Sequence, residues 1–159
     1  MDHQNGALRS GIEEQLREQG VYVSTTVGWS MWPMLRNRRD RIILLPIGNE
    51  RLKKYDLPLY RRPDGKYVLH RIIGVRDGKY IIRGDNTFTK EIVPDEWILG
   101  YVSEFYRSDR HILTSSKGYR LYAAAWRWIY PMRWCLYFAQ RCIGKLKRIV
   151  KGLLGGRHG

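Results

Sequence analysis

The segment around Asp77-Gly78 limits the fold more than any other. Asp-Gly supplies the two positive-φ residues of a tight primed turn, and it stands between two apolar runs, residues 67–73 and 80–82. That arrangement predicts a β-hairpin. Strand alternation then puts Val68, His70 and Ile72 on one face and Tyr67, Leu69, Arg71 and Ile73 on the other, so His70 is expected among apolar neighbours. Asp64-Gly65 marks another turn upstream, and β-rich runs at 21–27, 41–45, 66–75 and 79–83 are punctuated by Gly, Pro and Asp. The pattern predicts a mainly β domain over residues 21–109.

The flanks differ in character. Leu8, Ile12 and Leu16 recur at helical spacing in a polar stretch that ends at Gly20, which predicts a short amphipathic helix within residues 1–20. After Lys117-Gly118 the spacing turns helical again. Pro131 is expected to divide this segment into two helices, 119–130 and 132–154. In the second, Cys135, Phe138, Ala139, Cys142, Leu146, Ile149, Val150 and Leu153 share one face. Arg133, Arg141, Lys147, Arg148 and Lys151 lie opposite.

Charge is partitioned along the chain. The net formal charge is +14, and residues 110–159 hold 11 of the 29 Lys and Arg and none of the 15 Asp and Glu. A C-terminal basic amphipathic helical appendage over 110–159 therefore has three readings. It packs on its own domain, lies on an anionic membrane surface, or contacts nucleic acid. Of the functional readings the membrane surface leads, because no nucleic-acid module accompanies the charge. The amino terminus carries Asp2, Glu13, Glu14 and Glu18 and no apolar run, so no secretory signal is expected. No stretch reaches the roughly 18 apolar residues of a membrane span. The expected location is cytoplasmic, with peripheral attachment to the inner membrane surface as an extension of that reading. Cys135 and Cys142, if on one helix, are about 10.5 Å apart, too far for a disulfide. His3, His70, His111 and His158 lack ligand partners nearby in sequence, so neither metal nor cofactor is expected.

Three short elements carry chemistry in order. Gly28-Trp29-Ser30-Met31-Trp32-Pro33 places a serine between a flexible and a rigid residue, His70-Arg71-Ile72 follows on a strand, and Gly84-Asp85-Asn86 ends its hairpin partner. Taken alone, Ser30 reads as a turn residue. A serine hydroxyl needs a base to become a nucleophile, and an imidazole base needs an acceptor to fix its tautomer. The three elements supply such parts.

With Arg39-Asp40-Arg41-Ile42-Ile43, Lys54-Tyr55-Asp56, Leu59-Tyr60-Arg61 and Ile98-Leu99-Gly100-Tyr101-Val102, residues 27–102 resemble the signal peptidase I and LexA-like serine peptidases. The closer likeness is to the archaeal and endoplasmic-reticulum branch, where a histidine replaces the lysine base. The resemblance implies a LexA/signal-peptidase-like β domain, Ser30 as nucleophile, His70 as base and a carboxylate that orients His70. Asp85 is the first choice for that carboxylate and Glu91 the alternative. Asp85 in a Gly-Asp-Asn turn also reads as a capping carboxylate. Relatives often carry a hydroxyl two residues before the nucleophile, where this chain has Gly28, so one oxyanion donor is unassigned beside the Ser30 N–H.

The implied activity is cleavage of a leader, signal or pro-segment of another polypeptide bound as an extended strand. The alternative is a non-catalytic module that holds a peptide or partner on the same fold. Self-cleavage is disfavoured, because no Ala-Gly or Cys-Gly bond precedes the serine. Trp29 and Trp32 are expected in the core, with lining the substrate groove or touching lipid as the alternative, Asp40 and Asp56 at turns, and Arg71 either paired with an acid near the site or solvated.

Overall fold

A computed structural model describes the backbone of residues 3–155 and the side chains of residues 11–144. The element order is α1 (His3–Gln19), β1 (Tyr22–Thr25), β2 (Arg41–Pro46), β3 (Pro58–Arg61), β4 (Tyr67–Leu69), β5 (Arg71–Arg76), β6 (Lys79–Arg83), β7 (Glu91–Val93), a 3-10 turn at Asp95–Trp97, β8 (Ile98–Arg107), β9 (Arg110–Leu113) and α2 (Lys117–Gly155). The fold is mainly β with a helix at each end, as the sequence predicts.

Two antiparallel sheets divide the strands. The larger has the order β1-β2-β8-β3-β4, with β9 also on β8, and the smaller runs β5-β6-β7. The ten-residue β8 is the spine of the larger sheet, pairing β2 along one side and β3 and then β9 along the other. Asp77 (φ 49) and Gly78 (φ 72) form the tight turn between β5 and β6, with Arg76 opposite Lys79. The chain passes from the larger sheet to the smaller at a single residue, His70, between Leu69 of β4 and Arg71 of β5. The one strand expected over 66–75 is thus two, and its corner is the candidate base.

Each sheet has its own apolar cluster, and alternation assigns side chains to them. Tyr67 and Leu69 pack toward the cluster of Leu35, Leu44, Leu57, Val102 and Phe105, whereas Val68 and Ile72 join Tyr60, Tyr80, Ile82 and Val93. Leu16 of α1 is buried in the first cluster, and Ile12 packs beside it. Glu13 latches the same helix to the sheet by accepting from Tyr67 Oη (2.8 Å) and Arg61 Nη1 (3.3 Å). The expected contribution of Leu8 lies outside the described side chains.

The chain divides into two compact units, residues 1–124 and 125–159. That corrects the boundary placed at 109/110 from charge alone. Residues 110–113 are a strand paired with β8, and Tyr119 and Ala123 of the first turns of α2 are buried with unit 1. Ser116 starts α2, its Oγ accepting from the N–H of Tyr119 at 3.3 Å. A second correction concerns Pro131, which lies inside one continuous helix instead of separating two. Proline deletes one N–H and its bond to the Arg127 carbonyl. The helix nevertheless propagates on both sides.

Candidate active site

The nucleophile loop follows β1 and is fixed from below. Met31, Met34 and Leu35 fall at helical spacing in the turn after Ser30, and all three are buried in the larger-sheet cluster. Asp40, fully buried, closes the loop: its carboxylate takes the Arg36 N–H at 2.7 Å and the Arg36 guanidinium at 2.8 Å. Across the loop base the Thr26 N–H donates to the Asp40 carbonyl and the Arg38 N–H to the Thr26 carbonyl, and Asn37 Oδ1 accepts the Gly28 N–H at 2.9 Å. Ser30 itself is half-buried at the top of this frame. Trp29 and Trp32 are 62% and 45% exposed, which overturns their expected place in the core. The three buried residues of the turn already occupy the inward face, so the indoles face outward beside Ser30.

The Gly-Asp-Asn segment joins this loop to the base. Asn86 donates its backbone N–H to the Ser30 carbonyl (2.7 Å) and its side-chain amide to the Trp29 carbonyl (3.2 Å). At Gly84 the approach is so close that a Cβ would lie 2.7 Å from the Ser30 carbonyl oxygen and 3.0 Å from His70 Nε2. Only glycine lets the serine loop and the imidazole meet there. His70 is 7% exposed and turns its other nitrogen the opposite way, Nδ1 lying 3.4 Å from Tyr60 Oη and 3.5 Å from Glu91 Oε1. Among the described residues no hydrogen bond joins the Ser30 hydroxyl to His70, and none engages the Ser30 N–H.

The two candidate carboxylates separate cleanly. Asp85 is held bidentately by Arg71, through Nε at 2.8 Å and Nη2 at 2.7 Å, in a pair whose side chains are each 3% exposed. Arg71 Nη1 also donates to Tyr119 Oη (2.7 Å), which donates on to the Tyr55 carbonyl (2.6 Å). Arg71 is therefore paired and buried, not solvated, because β5 points it away from the face His70 occupies. Glu91 is the acid on the His70 side. Asp56 accepts from the Lys53 N–H and from Arg120, and with Asp40 it holds turns as expected.

Two site residues escape the sequence reading. Arg62 grips Glu91 through Nε (2.7 Å) and Nη2 (2.5 Å), and Tyr60 sets its ring edge-on to the imidazole, centroids 6.4 Å apart. Their signal was alternation, since Tyr60 and Arg62 lie two apart beside β4. Burial lowers the His70 pKa below its ordinary 6.5, and Arg62 adds to the fall while Glu91 and Asp85 oppose it. Burial raises the Glu91 carboxyl, but hydrogen bonds and charge from Arg62 outweigh this and leave it below the usual range. Burial and the neighbouring Glu91 push the Tyr60 phenol up. At neutral pH the site thus holds a neutral imidazole, an ionised carboxylate and a protonated phenol.

A cleft of about 240 Å³ runs up to Ser30, its apolar floor formed by Tyr22, Met31, Ile42, Leu44, Leu59 and Leu69. Its walls include residues of β1 and β4, the strands at the two ends of the β1-β2-β8-β3-β4 order. A larger cavity of about 470 Å³ near β9 and the start of α2 contains none of the four candidate residues. Among the described residues no cluster has the makings of a metal site, and none of their helices is long and apolar enough to cross a membrane. Compared with known proteins, the chain matches no family model and no curated protein.

Proposed function

We propose that the chain is a serine endopeptidase with a LexA/signal-peptidase-like catalytic domain, cleaving a leader, signal or pro-segment of another polypeptide. The observation that carries this reading is the polarity of His70, with Nε2 against the serine loop across Gly84 and Nδ1 toward Glu91. Ser30 Oγ attacks the scissile carbonyl and His70 Nε2 takes its proton. The Ser30 N–H stabilises the oxyanion, His70 returns the proton to the leaving amine, and water resolves the acyl-enzyme. Glu91, with Tyr60, orients the imidazole and stabilises its cation. The substrate lies extended in the apolar cleft, pairing with the free edge of β1, with a small side chain beside Ser30.

A test is to incubate the protein with a peptide library and map new termini by mass spectrometry. The reading requires cleavage after a consistent residue that is lost in Ser30→Ala. A second reading, a peptide-holding domain without catalysis, draws on the missing Ser30–His70 hydrogen bond. Such bonds often close only when substrate is bound. Peptides retained uncleaved by wild type and by Ser30→Ala with equal affinity select that second reading.

A further inference from the structure

The part of α2 beyond Ala124 forms the second compact unit, and its side chains are described to residue 144. At 100° per residue, Trp128, Met132, Cys135, Leu136, Ala139 and Cys142 fall within one arc. Ile143 falls within the same arc, and Phe138 widens it to nearly half the helix circumference. This face is uncovered: Trp128 is 83% exposed, Met132, Leu136, Phe138 and Ile143 are each more than half exposed, and both cysteines are exposed.

The opposite half carries Arg127, Arg133 and Arg141, with no acidic residue anywhere from 110 onward. Aromatic rings stand among these arginines and beside the apolar face. Arg133 lies over the Trp126 ring at 4.2 Å and Arg141 over Tyr137 at 5.8 Å, while Trp134 and Phe138 stack at 5.5 Å. The faces expected for Leu146, Lys147, Arg148, Ile149, Val150, Lys151 and Leu153 lie outside the described side chains, although the backbone stays helical to Gly155.

We propose that this helix is an interfacial element that lies flat in an anionic lipid surface, its apolar half in the acyl boundary and its arginines among the headgroups. Three arguments select this occupant. With an arginine about every seventh residue the described part of the helix is not apolar enough to cross a bilayer, whereas an apolar half opposite arginines interleaved with aromatic rings suits the interface. A second copy of the helix needs only a narrow apolar seam and would leave much of the wider apolar half in water. Nucleic acid would engage the basic half and leave the apolar half in water. Each arginine near an anionic headgroup strengthens binding roughly fivefold.

The two native cysteines sit on the apolar face and provide the probe. The full chain carrying Cys142→Ser is labelled on Cys135 with an environment-sensitive fluorophore and mixed with vesicles. One set contains phosphatidylglycerol and phosphatidylcholine, the other phosphatidylcholine alone. The expected result is a blue-shifted emission, with at least tenfold tighter partition into the anionic vesicles and release by high salt. Leu136→Glu with Met132→Glu should abolish the shift. Arg133→Gln with Arg141→Gln should weaken partition on the order of 20-fold.

Labelling Cys142 in a Cys135→Ser chain repeats the measurement should the first label disturb the face. Several results overturn the proposal. They are no shift with either label, equal partition into neutral vesicles, a concentration-dependent shift without vesicles that marks self-association, and duplex DNA binding in place of vesicle binding that Leu136→Glu leaves intact.

Discussion

Replacing Asp85 by asparagine distinguishes a structural strut from a catalytic acid. Arg71 and Asp85 have side chains only 3% exposed and share two hydrogen bonds of 2.7 and 2.8 Å. With the carboxylate gone, Arg71 keeps Tyr119 Oη and Met34 Sδ, both neutral, and its charge stays buried without a counter-ion. Burial alone opposes the guanidinium charge, and Asp85 is the first of the partners that restore it. Breaking such a pair from one side costs about 3–5 kcal/mol, which for a unit of this size lowers Tm by about 10–15 °C. Thermal unfolding followed by tryptophan fluorescence measures it directly. Arg71→Met with Asp85→Leu should recover most of the loss, because an apolar pair of similar volume often matches a buried ion pair. The reasoning fails if Asp85→Asn leaves Tm within about 2 °C of wild type while abolishing reaction at Ser30. That outcome would return the acid's role to Asp85.

Other consequences concern the base and its neighbours. Glu91→Gln should reduce turnover roughly 10- to 100-fold, less than loss of a dedicated triad acid, because Arg62 already shares the Glu91 oxygens. Steady-state kinetics with any cleaved peptide reads this. Because burial lowers the His70 pKa, activity should rise through an acid limb with its midpoint below 6.5, and Glu91→Gln should move that midpoint lower still by removing an opposing negative charge. The same depressed pKa means the unfolded chain takes up the proton first, so stability should fall as pH drops from 6.5 toward the folded value. Denaturant midpoints across that range, compared with His70→Gln, isolate the contribution. Gly84→Ala inserts a methyl 2.7 Å from the Ser30 carbonyl, and we expect about 1–3 kcal/mol of destabilisation with at least tenfold slower reaction at Ser30.

Much of the site was legible because it is built from local signals. The Asp77-Gly78 turn sets a hairpin whose strand leads back to His70, and Ser30 stands between Gly28 and Pro33 with its buried turn just after it. The choice between acids was less local. Counting outward from the two-residue turn puts His70 opposite Asp85, which points to the wrong acid, and only the bulge after Ile72 shifts the pairing to Arg71 with Arg83. No short window of sequence shows that bulge. Glu91 depends instead on β7 joining β6 and on Arg62 arriving from just after β3, contacts that no short window contains. The 109/110 boundary failed because charge reports solvent exposure, whereas β9 and the root of α2 are held by pairing with β8 and by Tyr119. Propensity ended the helix at Pro131, but the residues on both sides are helical enough, and exposed enough, to continue through it.

The central claim is that the fold activates Ser30 through His70. Intact-mass analysis after exposure to a serine-reactive phosphonate tests it most directly, on wild type, Ser30→Ala and His70→Ala. The account predicts a single adduct on wild type, mapped to Ser30 and absent from both variants. A folded wild-type protein that takes no adduct, or an adduct that persists in Ser30→Ala, would contradict it.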